Sequence, residues 1–206
     1  MKEPTKICKI CFEEIKLNSL RTLINKNNDI CDKCFNKFQS KFIHFKIDKV
    51  EGLSIYEYDE YMKTFIYQLK GCFDVELADL FLNHYINYLN FEYHGYYVVP
   101  IPSYELEDRV REFNHVIEIF KNLKLKRLDI LHKTEKYKQS DHKASERHLI
   151  SKYLKVSDLQ LVRNKKILIV DDIVTTGSTL KAAIALLKEG KPKTIKILTI
   201  AKRVLH

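Results

Sequence analysis

The run Ile167–Leu180, ILIVDDIVTTGSTL, constrains the fold more than any other stretch. Four apolar residues end in two adjacent carboxylates, Asp171 and Asp172. Ile173 and Val174 follow, then Thr175, Thr176, Gly177, Ser178 and Thr179, and then a helical pattern reaching Glu189. An apolar run of this length reads as a strand buried in a parallel sheet, and the loop at its carboxyl end faces the ligand crevice. A Gly-containing turn that opens a helix aims successive backbone N–H groups outward, and the helix dipole adds positive potential, so an anion settles there. Threonine and serine hydroxyls supply further donors. Two carboxylates at the loop entrance can accept hydrogen bonds from a vicinal diol. Phosphate at one end and a diol at the other describe ribose 5-phosphate. The run contains neither G-x-x-x-x-G-K nor G-x-G-x-x-G, which sets aside the Walker and dinucleotide loops.

The rest of the chain alternates in the manner of an α/β domain with a mainly parallel sheet flanked by helices. Tyr61, Phe65, Ile66 and Leu69 recur at helical spacing. So do Val75, Ala78, Leu82, Tyr85, Ile86 and Leu89, with Asp74 placed as an N-cap. Tyr96–Ile101 reads as a buried strand, Phe113–Leu123 as a helix, and Arg127–Leu131, Lys165–Val170 and Thr194–Ala201 as strands. Gly190 falls where a helix C-cap belongs. Residues 132–148 contain no Leu, Ile, Val, Phe or Met. A polar segment that long inside a compact domain reads as a functional or disordered loop.

Four of the five cysteines form two C-x-x-C pairs, Cys8/Cys11 and Cys31/Cys34. Each pair can turn two sulfurs toward one point, and two pairs make the closed tetrahedral thiolate shell of structural zinc. Their segment is short of apolar residues, so metal binding would supply much of its folding free energy. The expected division is a zinc-finger module over residues 1–48 and an α/β domain over residues 49–206. Cys72 stands alone and reads as a core thiol. Phe35, Phe38, Phe42 and Phe45 interleave with Lys33, Lys37 and Lys41. They suit either a short amphipathic helix docking on the next domain or a stacking platform for single-stranded nucleic acid.

The formal net charge is +9, unevenly laid out. Residues 51–100 carry 2 Lys/Arg against 8 Asp/Glu, whereas the segments on either side are basic. That layout suits an anionic partner, phosphate or nucleic acid, although lysine-rich solubility would give the same count. No run approaches the roughly 18 apolar residues of a membrane span, and MKEPTKICKI lacks a signal peptide's apolar core. The expectation is a cytoplasmic chain, in which disulfides are disfavoured.

The Ile167–Leu180 run closely resembles the phosphoribosyl pyrophosphate (PRPP) motif of type I phosphoribosyltransferases. Together with the four cysteines, it makes the chain resemble the ComF family, competence-associated phosphoribosyltransferase-like proteins with an N-terminal zinc finger. Tyr58-Asp59 and Leu69-Lys70 resemble that family's segment after the finger. Val98–Pro102 resembles its pyrophosphate-side strand and turn. Arg109–His115 resembles R-x-R-G-F-N-Q, with Glu112 in place of Gly and His115 in place of Gln. Gln139 and Arg147 match the polar loop over the site, while Lys136 and Ile150 depart from the usual Thr and Asn. The resemblance implies that Mg²⁺ enters with PRPP and that Asp171 and Asp172 hold the ribose hydroxyls. Val174, Thr175, Thr176, Gly177, Ser178 and Thr179 would hold the 5-phosphate. Arg109, Arg111, Lys136, Lys138 and Arg147 would face pyrophosphate. It implies a role in DNA uptake, with single-stranded DNA and with helicase and recombination proteins as partners. The alternative is a working phosphoribosyltransferase of salvage metabolism.

Overall fold

The computed structural model describes residues 6–16, 29–103, 108–109, 112–133 and 154–204. A six-stranded sheet organises them. Its strands are β1 (Ile43–Ile47), β2 (Val50–Glu57), β3 (Tyr96–Pro100), β4 (Lys126–Arg127), β7 (Lys166–Val174) and β8 (Thr194–Lys202). They lie in the order β1-β2-β8-β7-β3-β4. The β1–β2 hairpin is antiparallel, and every other pairing is parallel. In that hairpin Phe45 lies opposite Gly52, and its ring fills the space that a side chain at Gly52 would need. A second, two-stranded antiparallel sheet pairs β5 (Leu131–Lys133) with β6 (Leu154–Val156).

The central strands are buried on both faces, which is why β7 reads as an unbroken apolar run. Leu168 and Val170 belong to one core, and Ile167 and Ile169 to the other. The first core is covered by α2 (Glu60–Gly71), a 3₁₀ turn (Val75–Phe81), α3 (Ile86–Glu92) and α4 (His115–Phe120). The second is covered by α5 (Ser178–Glu189) and the small sheet. Asp59 caps α2, its carboxylate accepting from the Met62 N–H at 2.8 Å. Gly190 takes the C-cap of α5 with φ −75°, so it closes the helix without the left-handed geometry. Among the described residues no helix is long and apolar enough to cross a membrane.

Four local expectations are corrected. The Val75–Leu89 segment is not one α-helix. Its first part winds as 3₁₀, where Leu77/Leu80 and Ala78/Phe81 bury themselves at the three-residue spacing that this geometry eclipses. Asp74 makes no side-chain cap there. Arg127–Leu131 is not one strand. Asp129 interrupts it, pairing with Arg127 Nε at 3.0 Å, and the two halves join different sheets. The interleaved phenylalanines do not share a helix: α1 (Asp32–Phe35) holds only Phe35, and Phe45 lies in β1. Cys72 is exposed just past the end of α2 instead of lying in the core.

Candidate functional site

The two C-x-x-C pairs converge. The Sγ atoms of Cys8, Cys11, Cys31 and Cys34 all lie within 4.8 Å of one another. Cys11 Sγ and Cys31 Sγ are 3.7 Å apart, close to the roughly 3.8 Å that separates sulfurs on a tetrahedral ion with 2.3 Å bonds. An antiparallel bridge between Ile7 and Glu14 folds the first knuckle, and α1 carries Cys34. Lys9 N–H donates to the Asp29 carbonyl and ties the knuckles together. Burial opposes ionisation of Cys8, but N–H groups of Cys11, Cys31 and Ile10 bring its thiol down to about 7. Burial and the neighbouring thiols push Cys34 up. A divalent cation removes that mutual penalty, so this donor set fits a metal ion such as zinc.

The cysteine cluster shares a core with the sheet. Phe38 is buried and meets Tyr56, Tyr61, Phe65 and Phe81 edge-on, with the Phe65 centroid at 4.6 Å. Phe35 sits against His84, and Phe42 against Tyr85. These rings serve packing, the docking role, and Phe38 is closed to a nucleic-acid base.

At the carboxyl end of β7 the expected loop is in place. Gly177 adopts φ +71° and forms the N-cap of α5. A side-chain carbon there would lie 2.7 Å from Ile47 Cδ1, so glycine is needed for both conformation and space. Thr175 and Thr176 are exposed, and Thr176 Oγ1 lies 3.0 Å from Ser178 Oγ. The first-turn N–H groups of a helix have no intrahelical acceptor, and that of Ser178 donates to Thr176 Oγ1 at 3.5 Å.

The carboxylates stand in different surroundings. Asp172 is buried, and its Oδ2 pairs with Lys70 Nζ from α2 and with His115 Nε2 from α4, the latter at 3.1 Å. An ionised carboxylate only accepts, so His115 presents Nε2–H. Burial disfavours the charge on Asp172, but the His115 hydrogen bond and the Lys70 charge outweigh it and hold the carboxyl below the usual carboxylate range. Asp171 is half-buried and accepts from the Asp172 N–H at 2.9 Å. Burial and the Asp172 charge push its carboxyl well above the usual range. Thr199 on β8 lies in register with both Asp171 and Ser54. It is fully buried, and its hydroxyl has no partner among the described residues.

The turn after β3 makes the other wall. Asn114 caps α4 by accepting from the Ile117 N–H at 3.0 Å, and its Nδ2 donates to Ser103 Oγ and Asp108 Oδ2. These groups border a cavity of about 230 Å³, lined also by His132 and Lys133. Arg109 is exposed. Arg111, Lys136, Lys138 and Arg147, with Gln139 and Ile150, lie outside the described residues. Glu112 is exposed with φ +63°. That backbone accounts for glycine at the corresponding place in the family pattern. Thr199 went unremarked in the sequence. Lys70 and His115 lie in segments that resemble the family pattern, but nothing local links positions 70, 115 and 172, so the sequence does not mark them as partners of Asp172.

Residues 110–204 match the phosphoribosyl transferase domain family, so the chain carries a phosphoribosyltransferase-type domain. It is 26% identical to competence protein ComFC of Streptococcus pneumoniae over 220 residues, 95% of this chain and 99% of that one. The chain is a ComFC-like protein with such a domain. A 43-residue stretch is 42% identical to hypoxanthine-guanine phosphoribosyltransferase of Bos taurus, covering 21% of this chain and 20% of that one. A hypoxanthine phosphoribosyltransferase structure from Staphylococcus aureus aligns over 62% of this chain and 64% of that one, at 17% identity and a TM-score of 0.38.

Proposed function

We infer that this chain is a competence-associated protein of DNA uptake whose phosphoribosyltransferase-type core binds PRPP. The observation that carries the reading is the β7–α5 loop, with Gly177 in the left-handed region at a helix start and Asp171 at its entrance. Val174, Thr175, Thr176, Gly177, Ser178 and Thr179 receive the 5-phosphate, and the acidic pair frames the ribose. Arg109, with Arg111, Lys136, Lys138 and Arg147, balances pyrophosphate charge. Asp171 would hold Mg²⁺ or its bound water, and the ion would supply the positive charge that neutralises the pyrophosphate. A zinc-binding module, residues 1–48, accompanies a PRPP-binding domain, residues 49–206, in the cytoplasm. The basic segments on either side of residues 51–100 receive single-stranded DNA, and helicase and recombination proteins act beside it.

The second reading, transfer of the phosphoribosyl group to an acceptor, is favoured by the complete Asp-Asp and Thr-Thr-Gly sequence. In that reaction the bond from ribose C1 to pyrophosphate breaks and a bond to the acceptor forms.

Calorimetric titration of the zinc-loaded chain with PRPP and Mg²⁺ tests the core of the proposal. Saturable binding that competes with ribose 5-phosphate is expected, and the absence of heat at millimolar PRPP would refute it. Single-stranded DNA titrated into the same preparation should bind with steep salt dependence. A flat anisotropy signal at low salt removes the DNA role.

A further inference from the structure

The geometry points to a division of labour between the adjacent carboxylates: Asp171 takes the ligand's diol, while Asp172 is an internal strut held by Lys70 and His115, which are positioning residues for the phosphate loop. This rests on the PRPP reading above.

Successive strand residues face opposite sides of a sheet. Val170, two residues before Asp172, belongs to the core that α2 and α4 cover, and Asp172 meets a side chain from each of those helices. Both of its oxygens are engaged within the chain, Oδ2 by Lys70 and His115 and Oδ1 by the Ile173 N–H at 2.7 Å. A diol would have to displace a buried ion pair to reach it. Ile169, two residues before Asp171, belongs to the opposite core, the one with α5. Asp171 is more exposed than Asp172, and among the described residues it pairs with no cation. Beside it, in register, stands the buried and unpartnered hydroxyl of Thr199. A diol arriving there would find, among the described residues, a carboxylate oxygen of Asp171 with no partner. The burial that disfavours a bare charge on Asp171 also favours a hydrogen-bonding or cationic ligand group beside it.

Lys70 and His115 act at one remove. They come from helices that are distant in sequence, and they fasten the end of β7 two residues before the phosphate loop begins. The strut fixes where Val174 turns and therefore where the loop's N–H groups point.

The test measures PRPP affinity with Mg²⁺ and the thermal midpoint of the zinc-loaded chain for Asp171→Asn, Asp172→Asn, His115→Leu and His115→Gln. Asp171→Asn should weaken PRPP at least about tenfold without lowering the midpoint, since a single good hydrogen bond to a charged group is worth roughly that much. Asp172→Asn should lower the midpoint and weaken PRPP less. His115→Leu should do both, and His115→Gln, whose amide can still donate to Asp172, should recover most of the affinity. Equal loss of affinity for the two Asp variants with an unchanged Asp172→Asn midpoint would overturn the division. So would a His115→Gln variant no better than His115→Leu. If the unaltered chain ignores PRPP, the proposed function fails on its own account. The strut is then judged by the midpoints, and it falls if Asp172→Asn and His115→Leu melt with the unaltered chain.

Discussion

Replacing Gly177 with alanine tests the phosphate loop through its backbone. A non-glycine residue in the left-handed region costs about 1–2 kcal/mol. The new Cβ would stand 2.7 Å from Ile47 Cδ1 and 3.4 Å from Cγ1. Cδ1 is the end of a rotatable side chain, so it swings aside for about 0.5–1.5 kcal/mol of rotamer strain. Against this, alanine reduces the entropy of the unfolded chain and recovers about 0.4–1 kcal/mol. Strain outweighs entropy, and Gly177→Ala should destabilise by about 2 kcal/mol, or roughly 4–8 °C in midpoint for a chain of this size. Ile47→Val removes the clashing methyl. Alone it should cost about 0.5 kcal/mol, because Ile47 is only half-buried. Combined with Gly177→Ala it should leave the chain about 1 kcal/mol more stable than the two single effects added. Urea unfolding of the four proteins reads this directly. Strict additivity would refute the contact, and an unchanged Gly177→Ala midpoint would refute the left-handed turn itself.

Two further outcomes are expected. Glu112→Gly should relieve about 1–2 kcal/mol of left-handed strain and give back about 0.5–1 in backbone entropy. It should therefore melt a few degrees above the unaltered chain, while Glu112→Ala, which removes only the charge, should not, as thermal scans of the two variants will tell. Elemental analysis of protein purified with reduced cysteines should find about one zinc per chain, lost in Cys34→Ser. Stripping the metal by chelation should lower the midpoint, because Phe38 couples the cysteine cluster to the packing of α2.

The metal cluster and the phosphate loop were legible because each is local. Two C-x-x-C pairs state their own geometry, and ILIVDDIVTTGSTL carries strand, turn and helix within fourteen residues. The alternation of apolar runs and helical periods likewise gave β3, β8 and α5 nearly to their ends, whereas β7 runs four residues past the expected Val170, to Val174, and takes both carboxylates into the strand. Where tertiary packing chose between close alternatives, the pattern misled. The period of Val75–Leu89 fits an α-helix, but three-residue burial against α2 and α4 accompanies 3₁₀ winding of its first half. Phe38 and Phe45 read alike as members of one stripe, yet one is buried beside the cysteine cluster and the other covers Gly52 in a hairpin.

Sequence alone determined the parallel α/β class, the four thiolates and the residues of the loop, since these follow from spacing along the chain. Only the tertiary structure decided that adjacent, identical carboxylates are unlike. Strand alternation separates them, and among the described residues a lysine 102 residues and a histidine 57 residues away in the chain pair with Asp172 and not with Asp171. Proximity of that kind arises when helices pack on a sheet, and no local pattern encodes it.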